Sequence, residues 1–293
     1  MNSADVIWLV AVTAGKWQRH GIREAHSAGL KVLAIDSDPE AEGFLDADKS
    51  LVIEFSNHAK IIEAVRSLGL NIKGAVSFCS EAGMEIAAKI REAFDLPGPR
   101  TELCHRLKDK GLQRKVWTDK GVPGPKWAQF QTVDTALKAI PMFGFPLIVK
   151  PADSSGSRGV AKLESMNDEI QYAVEKAFQF SKSGNVLLEA CMEGVEFTVE
   201  TFSSSGNVEV LAVTEKKKIE ETRGTVAKEL ATPDRSQEVI SRIANTVKGA
   251  LLALGYTDGP GHAEVIWMDD GGVGLSEDGG RGGAGTVLEL LLP

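Results

Sequence analysis

A lysine at the end of an apolar strand, and the loop of small residues after it, are the first features of this chain that could do chemistry. Residues 147–149 are apolar and lead into Lys150, and residues 153–158 read Asp-Ser-Ser-Gly-Ser-Arg. Small side chains let backbone N–H groups surround a polyanion closely, and Lys150 would point to the same place. The order is not the G-x-x-x-x-G-K-[ST] loop that opens a helix. The pattern indicates a nucleoside triphosphate site, and a hairpin turn with a solvent-facing lysine is the alternative.

Two glutamates near the end of the sequence have the arrangement of a divalent-cation site. Glu264 lies in the apolar stretch 261–267, Glu277 ends the stretch 273–277, and an Asp-Asp-Gly-Gly segment at 269–272 lies between them. Asp-Gly turns between apolar strands predict a hairpin, which would bring both carboxylates to nearby levels of adjacent strands. Two close carboxylates repel unless a cation lies between them, and Mg²⁺ takes a few carboxylates together with substrate phosphates. The alternative is one buried acid and one exposed acid without a metal.

Acidic residues around the apolar run 186–190 could recognise a nucleoside. Glu189 closes this run, Gly194 permits a turn, and Glu196 opens the next strand. Backbone N–H and C=O groups that follow such a strand are free to pair with an adenine edge, and a nearby carboxylate can accept hydrogen bonds from ribose hydroxyls. A hairpin edge with solvent-facing acids is the alternative.

A basic helix precedes the Lys150 strand. Residues 107–115 read Leu-Lys-Asp-Lys-Gly-Leu-Gln-Arg-Lys, and the Gly-Val-Pro-Gly-Pro segment at 121–125 ends the helix. Helical spacing puts Lys110 and Arg114 on one face. Taken alone, this pattern favours a solvated cationic face.

The elements that must position these residues fall into two parts. In the first hundred residues, apolar strands alternate with helices, which predicts βαβ units and a parallel sheet. The first turn carries only Gly15 instead of G-x-G-x-x-G, so a nicotinamide cofactor is not expected even though Asp36 follows the second strand. The predicted strands of this part are 6–12, 31–36 and 74–78, and its helices are 18–28, 58–68 and 81–94.

Shorter elements follow the Leu-Pro-Gly-Pro boundary at 96–99. Four strands and a helix form a small α+β unit, and a hairpin, a long helix and the glutamate hairpin complete the chain. The predicted elements are strands at 127–130, 146–151, 159–164 and 186–190, a helix at 167–181, a hairpin at 196–201 and 208–214, and a helix at 233–254.

Composition and charge argue against several classes of protein. The chain has 293 residues, of which 43% are hydrophobic and 25% charged, and its net charge is −8. A negative balance argues against nucleic-acid and anionic-membrane partners, and no apolar run approaches the length of about 18 residues that a membrane-spanning helix needs. The cysteines at 79, 104 and 191 form no C-x-x-C pair. Such cysteines are typical of reduced thiols in a cytoplasmic protein, which is the expected location.

The order of these motifs resembles the ATP-grasp superfamily, in particular its carbamoyl-phosphate-synthase-like branch of carboxylate–amine ligases. A basic helix ending in G-V-P-x-P comes first, followed by strand-Lys-Pro with a Ser/Gly loop, then E-x-x-x-x-G-x-E, and finally two acids with E-x-G-x-R-G-G. The resemblance implies an α/β and α+β fold with a Rossmann-like parallel-sheet domain at 1–100 and an ATP-grasp domain at 101–293. The ATP-grasp domain would have a small lid subdomain at about 123–192 and a C-terminal antiparallel-sheet subdomain at 193–293.

The resemblance also implies a role for each motif residue. ATP is the implied nucleotide and Mg²⁺ or Mn²⁺ the implied metal, and Lys150 and Arg281 are the implied catalytic residues. The implied contacts are Lys110 and Lys150 with the phosphates, the loop Ser154, Ser155, Gly156 and Ser157 over the β- and γ-phosphates, Glu189 and the Met192 backbone with adenine, Glu196 with ribose, Glu264 and Glu277 with the metal, and Arg281 with the transferred phosphoryl group.

The implied activity is ATP-dependent ligation of a carboxylate to an amine through an acyl-phosphate. Small-molecule carboxylates and amines are the expected partners, with amino acids or peptides as one option, and the assembly state is left open with a homodimer as one option. Three features depart from the family pattern: Asp278 replaces a usually apolar residue, Gly279 stands where asparagine is common, and only sixteen residues follow Glu277. An ATP-binding relative without ligase activity is therefore the alternative.

Overall fold

Three β-sheets and the helices around them make up the parts of the chain that the computed structural model describes, which are residues 6–166, 169–218 and 227–283. The first sheet is parallel, and the other two are antiparallel. This confirms the predicted α/β and α+β fold class, in which a parallel sheet precedes a small α+β unit and a C-terminal antiparallel sheet. Within the described residues, no helix has the length and apolarity needed to cross a bilayer.

The N-terminal sheet is a doubly covered parallel sheet. Its strands stand in the order β3-β2-β1-β4. Val10 and Leu33 pack with Ile61 and Ile90 on one face, and the opposite face packs against Ile22. Because both faces are covered, the strands read as continuous apolar runs, as predicted. The elements are β1 (Trp8–Val12), α1 (Arg19–Ser27), β2 (Lys31–Asp36), β3 (Lys49–Val52), α2 (His58–Ser67), β4 (Ile72–Val76) and α3 (Glu81–Ala93).

Two short helices connect this sheet to the rest of the chain, α4 (Thr101–Lys108) and α5 (Lys110–Asp119). The prediction of one helix over 107–115 is wrong, because the helix is interrupted at Asp109. The Asp109 backbone is extended, and its carboxylate accepts a hydrogen bond from the Leu112 N–H at 3.0 Å. Asp109 is therefore the N-cap of a new helix, whose first residue is Lys110.

A small antiparallel sheet in the order β5-β8-β6-β7 follows, with two helices on one face. Val149 and Leu188 pack there against Ala136 and Val174. Residues 167–168 of the predicted helix lie outside the described part of the chain. The elements are β5 (Trp127–Phe130), α6 (Val133–Ala139), β6 (Leu147–Pro151), β7 (Ala161–Leu163), α7 (Glu169–Phe180) and β8 (Val186–Ala190).

The last sheet has five antiparallel strands in the order β11-β10-β9-β12-β13. One face packs on the long helix α8 through Phe197, Val265 and Leu251. Gly255 ends that helix at φ +80°, a left-handed conformation that favours glycine. The elements are β9 (Gly194–Ser204), β10 (Asn207–Lys218), β11 (Ala227–Ala231), α8 (Gln237–Leu254), β12 (Gly259–Met268) and β13 (Val273–Gly279).

Candidate active site

A cleft of about 490 Å³ lies between the small sheet and the five-stranded sheet. It gathers segments that are far apart in the sequence. All the site residues predicted from the sequence line this cleft except Arg281, and Lys216 joins them without having been predicted. The predicted lining residues are Lys110, Lys150, Ser154, Ser155, Gly156, Ser157, Glu189, Met192, Glu196, Glu264 and Glu277.

The wall of the cleft contains a buried cluster of one carboxylate and two cations. Lys150 Nζ lies 2.9 Å from Glu189 Oε2, and Arg114 donates to both carboxylate oxygens of Glu189, at 2.8 and 3.2 Å. Although burial alone would raise the pKa of Glu189, Arg114 and Lys150 lower it to about 2. The pKa of Lys150 is lowered, because burial disfavours its charge and Arg114 adds to the effect. The cluster is short of negative charge, which a phosphate group would supply.

Arg114 also fastens the small sheet to the large one. Its guanidinium donates to the Leu275 carbonyl at 3.2 Å and to the Ser276 carbonyl at 2.6 Å while it holds Glu189. The prediction of a solvated cationic face on this helix is wrong, because Lys110 and Arg114 are both buried. Their one-face placement is correct, but the face that carries them is turned to the cleft wall.

Lys110 connects the loop at 153–158 to one of the two candidate metal acids. Its Nζ donates to the Ser154 carbonyl at 2.8 Å and lies 3.2 Å from Glu277 Oε1. Burial acts to lower the pKa of Lys110, but Glu277 and Glu81 outweigh burial and raise it. Lys110 is therefore a fully charged ammonium group at the mouth of the loop.

The loop itself is fixed at its base and open at its tip. The Asp153 carboxylate accepts hydrogen bonds from the Lys182 and Ser183 N–H groups at 2.9 and 2.6 Å. At the far end, Gly159 has φ +75°, and a Cβ there would lie 2.9 Å from Phe180 and Pro151. Of the five residues between these anchors, 154–157 line the cleft and Arg158 does not.

Glu264 and Glu277 are direct cross-strand partners in the β12–β13 pair. Their side chains are 30% and 33% exposed, so both are accessible from the cleft. Lys216 Nζ lies 2.5 Å from Glu264 Oε1 and also contacts Glu196. The pKa of Lys216 is raised, because Glu264 and Glu196 together outweigh the effect of burial.

The donor set fits a magnesium ion better than a metal held by protein alone. Among the described residues, no group of three or more His, Cys, Asp or Glu side chains could hold a metal. Two accessible carboxylates are the protein's contribution. Mg²⁺ is usually bound through one or two carboxylates together with substrate phosphates and water, so this pair suits a metal that arrives with a nucleotide.

Arg281 lies beyond the cleft lining and faces the N-terminal unit. Its Nη2 donates to Glu81 Oε1 at the start of α3, at 2.9 Å, and its Nη1 donates to the Gly282 carbonyl. Its Nε is buried and has no hydrogen-bond partner among the described residues. A buried donor without a partner costs about 1–3 kcal/mol, so this guanidinium has an unused donor for a ligand.

A second cavity, of about 550 Å³, lies between β4, α3 and the five-stranded sheet. Phe78, Phe202 and Tyr256 are among its lining residues, and Gly280 and Gly283 on either side of Arg281 also line it. No local pattern in the sequence indicates this cavity, because its walls come from segments that are distant in the chain.

Asp278 is a buried acid without a counter-ion. It is 0% exposed, and neither carboxylate oxygen has a hydrogen-bond partner in the described structure. Burial and the negative charges of Glu277 and Glu200 raise the pKa of Asp278 well above its usual value. Nearby, His262 Nδ1 lies 2.5 Å from Glu200 Oε1, and the Gly283 N–H donates to Glu200 Oε2 at 3.1 Å.

Comparison with known proteins gives the chain a family. The model of the ATP-grasp domain matches residues 143–288, about half of the chain. An uncharacterized protein of Sinorhizobium fredii is 27% identical over 252 residues, which are 83% of this chain and 52% of that protein. The D-alanine–D-alanine ligase of Xylella fastidiosa is 36% identical over 115 residues, which are 38% of this chain and 37% of the ligase.

A solved structure has the same fold over nearly the whole chain. The L-amino acid ligase from Bacillus licheniformis superposes with a TM-score of 0.81 at 24% identity, over 98% of this chain and 70% of that protein. At this identity the likeness is one of fold. The chain spans about half the length of the first of these curated relatives and 37% of the second.

Proposed function

We propose that this chain, which belongs to the ATP-grasp superfamily, forms C–N bonds as an ATP-dependent carboxylate–amine ligase. ATP-grasp enzymes use ATP and Mg²⁺, which are accordingly its cofactors. The observation that carries the proposal is the pairing of Glu264 with Glu277 across one strand pair, facing a cleft lined by Lys110 and Lys150. A cation-binding pair of carboxylates beside buried ammonium groups suits a polyphosphate and its metal.

The reaction proposed has two steps. An oxygen of the substrate carboxylate attacks the γ-phosphorus of ATP, which forms an acyl-phosphate and releases ADP. The nitrogen of an amine then attacks the acyl carbon, the bond to the phosphate oxygen breaks, and inorganic phosphate leaves with an amide as product. A bound Mg²⁺ would supply neutralisation of phosphate charge, held by Glu264 and Glu277.

The residues of the chain would act by binding and orienting the reactants. Lys150 lacks a full counter-charge in its buried cluster and would bind a phosphate oxygen. Lys110 would do the same while it holds the loop at the Ser154 carbonyl. Among the described residues, the Arg281 Nε has no hydrogen-bond partner, and Arg281 would bind the acyl-phosphate oxygens.

The remaining site assignments follow the walls of the cleft. Residues 154–157 would cover the β- and γ-phosphates and exclude water from the acyl-phosphate. Glu196 would accept from ribose hydroxyls, and the backbone at Met192 would pair with adenine. Both carboxylate oxygens of Glu189 are already bound by cations. Glu189 would therefore hold Lys150 in position, in addition to its contact with adenine.

The second cavity is proposed as the space for the organic part of a substrate. It adjoins Gly280 and Gly283, so a ligand there would have one end close to Arg281. Its volume of about 550 Å³ lies within the usual range for small-molecule pockets. Small-molecule carboxylates and amines, among them amino acids with apolar side chains, are the proposed substrates.

The test is ADP and phosphate formation from ATP and Mg²⁺ with a panel of carboxylates and amines. We expect ADP formation that depends on both partners, an amide product detected by mass spectrometry, and a hydroxamate when hydroxylamine replaces the amine. A protein that binds ATP but forms no ADP with any carboxylate would support the alternative of an ATP-binding relative without ligase activity.

A further inference from the structure

Each of the two proposed metal carboxylates already contacts a lysine ammonium group. Lys110 Nζ lies 3.2 Å from Glu277 Oε1, and Lys216 Nζ lies 2.5 Å from Glu264 Oε1. The two lysine side chains are only 8% and 13% exposed. The positions from which a cation would approach these oxygens are therefore filled by the protein's own cations.

The two lysines differ in what else they bind. Lys110 also donates to the Ser154 carbonyl of the loop, on the side where the phosphates are proposed to lie. Lys216 projects from β10 and lies between two carboxylates of the five-stranded sheet, Glu196 and Glu264. It thus links the proposed ribose-binding acid to the proposed metal-binding acid.

The charges of the cleft balance without a metal. Its lining contains three lysines and four glutamates, and the Arg114 guanidinium that binds Glu189 brings the positive charges to four against four. A divalent cation alone would enter a neutral site and displace an ammonium group from a good ion pair. A nucleoside triphosphate brings more negative charge than one divalent cation neutralises, and it offers new oxygen partners to the displaced ammonium group.

We propose that Lys216 gates the metal: its ammonium group holds Glu264 while nucleotide is absent, and the divalent cation gains Glu264 only when nucleotide phosphates are bound. The inference rests on the proposed nucleotide and metal site. Metal and nucleotide are then coupled, and each raises the affinity for the other by the same factor. The chain would bind the metal–nucleotide complex and reject the free metal.

The test is titration of the nucleotide-free protein with Mn²⁺, followed by the electron paramagnetic resonance signal of free Mn²⁺. The wild-type protein is expected to bind Mn²⁺ weakly, and Lys216→Gln to bind it at least about tenfold more tightly. Lys217→Gln is the matched control, because Lys217 is the next residue on the same strand, is 55% exposed and pairs with Glu229 away from the cleft. It should bind Mn²⁺ as the wild-type protein does.

A second pair of variants guards against misfolding. Lys216→Gln leaves Glu196 and Glu264 without their shared cation, so thermal unfolding is recorded for every variant. Glu196→Gln removes one of the two acids, and the double variant Glu196→Gln, Lys216→Gln leaves no unshielded pair of charges. The double variant is expected to bind Mn²⁺ more tightly than Glu196→Gln alone.

The coupling gives a further readout that a purely structural lysine would not move. Affinity for a non-hydrolysable ATP analogue is measured with and without Mn²⁺, and the ratio is expected to be large in the wild-type protein and smaller in Lys216→Gln. Tight Mn²⁺ binding by the nucleotide-free wild-type protein, or unchanged Mn²⁺ affinity in both Lys216 variants, would overturn the gate. A wild-type protein that fails to bind the analogue even with Mn²⁺ would instead contradict the proposed function.

Discussion

Two cavities of similar size flank the end of β13, and their chemistry is opposite. Ser276 and Glu277 line the cleft of about 490 Å³, whose walls carry lysines and glutamates. Three residues further on, Gly280 lines the cavity of about 550 Å³, whose walls are mainly apolar. Under the proposed function, the charged cavity would bind the polyphosphate and the apolar cavity the organic part of a substrate. Arg281, the residue after Gly280, lines neither cavity.

The largest expected effect is the loss of turnover on removal of one charge from the cleft. Glu277→Gln keeps the shape of the side chain but removes a proposed metal ligand and the partner of Lys110. ADP formation is expected to fall about 100-fold or more, since the charge of the transferred phosphoryl group would no longer be neutralised correctly. Glu209→Gln, an exposed change on the same sheet, is the control. Parental turnover in the Glu277 variant would mean that the hairpin does not bind the metal.

A smaller effect is expected on nucleotide affinity from Lys150, which lies near the end of β6. Lys150→Ala removes one cation from the buried cluster while Arg114 continues to bind Glu189. Affinity for ATP is expected to weaken by about 1–3 kcal/mol, the usual contribution of a charged hydrogen-bond partner. Calorimetry on this variant and on Lys138→Ala, whose lysine is exposed on α6, separates the site from a general charge effect. Equal affinities in both variants would contradict the assignment of Lys150.

Some features of the fold and of the charged cleft could be predicted from the sequence, and others could not. The parallel sheet, the Lys150 strand and the register of Glu264 with Glu277 were predictable, because apolar runs and an Asp-Gly turn specify them locally. The burial of Arg114 was not predictable, because its partners Glu189 and Ser276 are 75 and 162 residues away. Lys216 was not predicted either, because it stands in a run of three lysines, a pattern typical of a solvated strand edge.

β3 and the apolar cavity also escaped prediction for physical reasons. Three of the four residues of β3 are exposed, so it lacks the apolar run that identified its neighbours. The apolar cavity joins Phe78, Phe202 and Tyr256, none of which stands in a distinctive local pattern. The site residues of one cavity were readable as motifs, whereas the other cavity is a product of tertiary structure.

Two buried acids, Glu189 and Asp278, differ in the partners of their carboxylates. Glu189 has a lowered pKa and contacts two cations, whereas the Asp278 carboxylate has a raised pKa and no hydrogen-bond partner among the described residues. Because folding raises the pKa of Asp278, its contribution to the free energy of unfolding is fully present below the ordinary aspartate pKa of about 3.9. That contribution is lost as the pH rises towards the pKa of the folded state. Asp278→Asn removes this dependence and is expected to stabilise the protein by about 1–3 kcal/mol at neutral pH.

Urea denaturation of wild-type protein and Asp278→Asn across the neutral range checks this expectation. The advantage of the variant should grow from mildly acidic to neutral pH. An advantage that does not change with pH, or a less stable variant, would show that Asp278 is ionised and has a partner in solution.

The smallest expected effect tests whether the two cavities are independent. Phe202→Asp puts a charge into the apolar cavity at a side chain that is 48% exposed, so the fold should tolerate it. Nucleotide affinity is expected to change by about twofold at most, as for distant sites without shared partners, while the KM for an apolar substrate rises. Leu252→Asp on the outside of α8, where the side chain is 50% exposed, is the control. A large loss of nucleotide affinity in the Phe202 variant would mean that the cavities form one site.

The position of the bound metal is the most direct test of the proposed nucleotide and metal site. Crystals of the protein with a non-hydrolysable ATP analogue and Mn²⁺ would give an anomalous signal at the metal. We expect a peak coordinated by Glu264 and Glu277, with the phosphates within reach of Lys110 and Lys150, and with Lys216 moved off Glu264. A nucleotide in the apolar cavity, or a Mn²⁺ peak away from both glutamates, would contradict it.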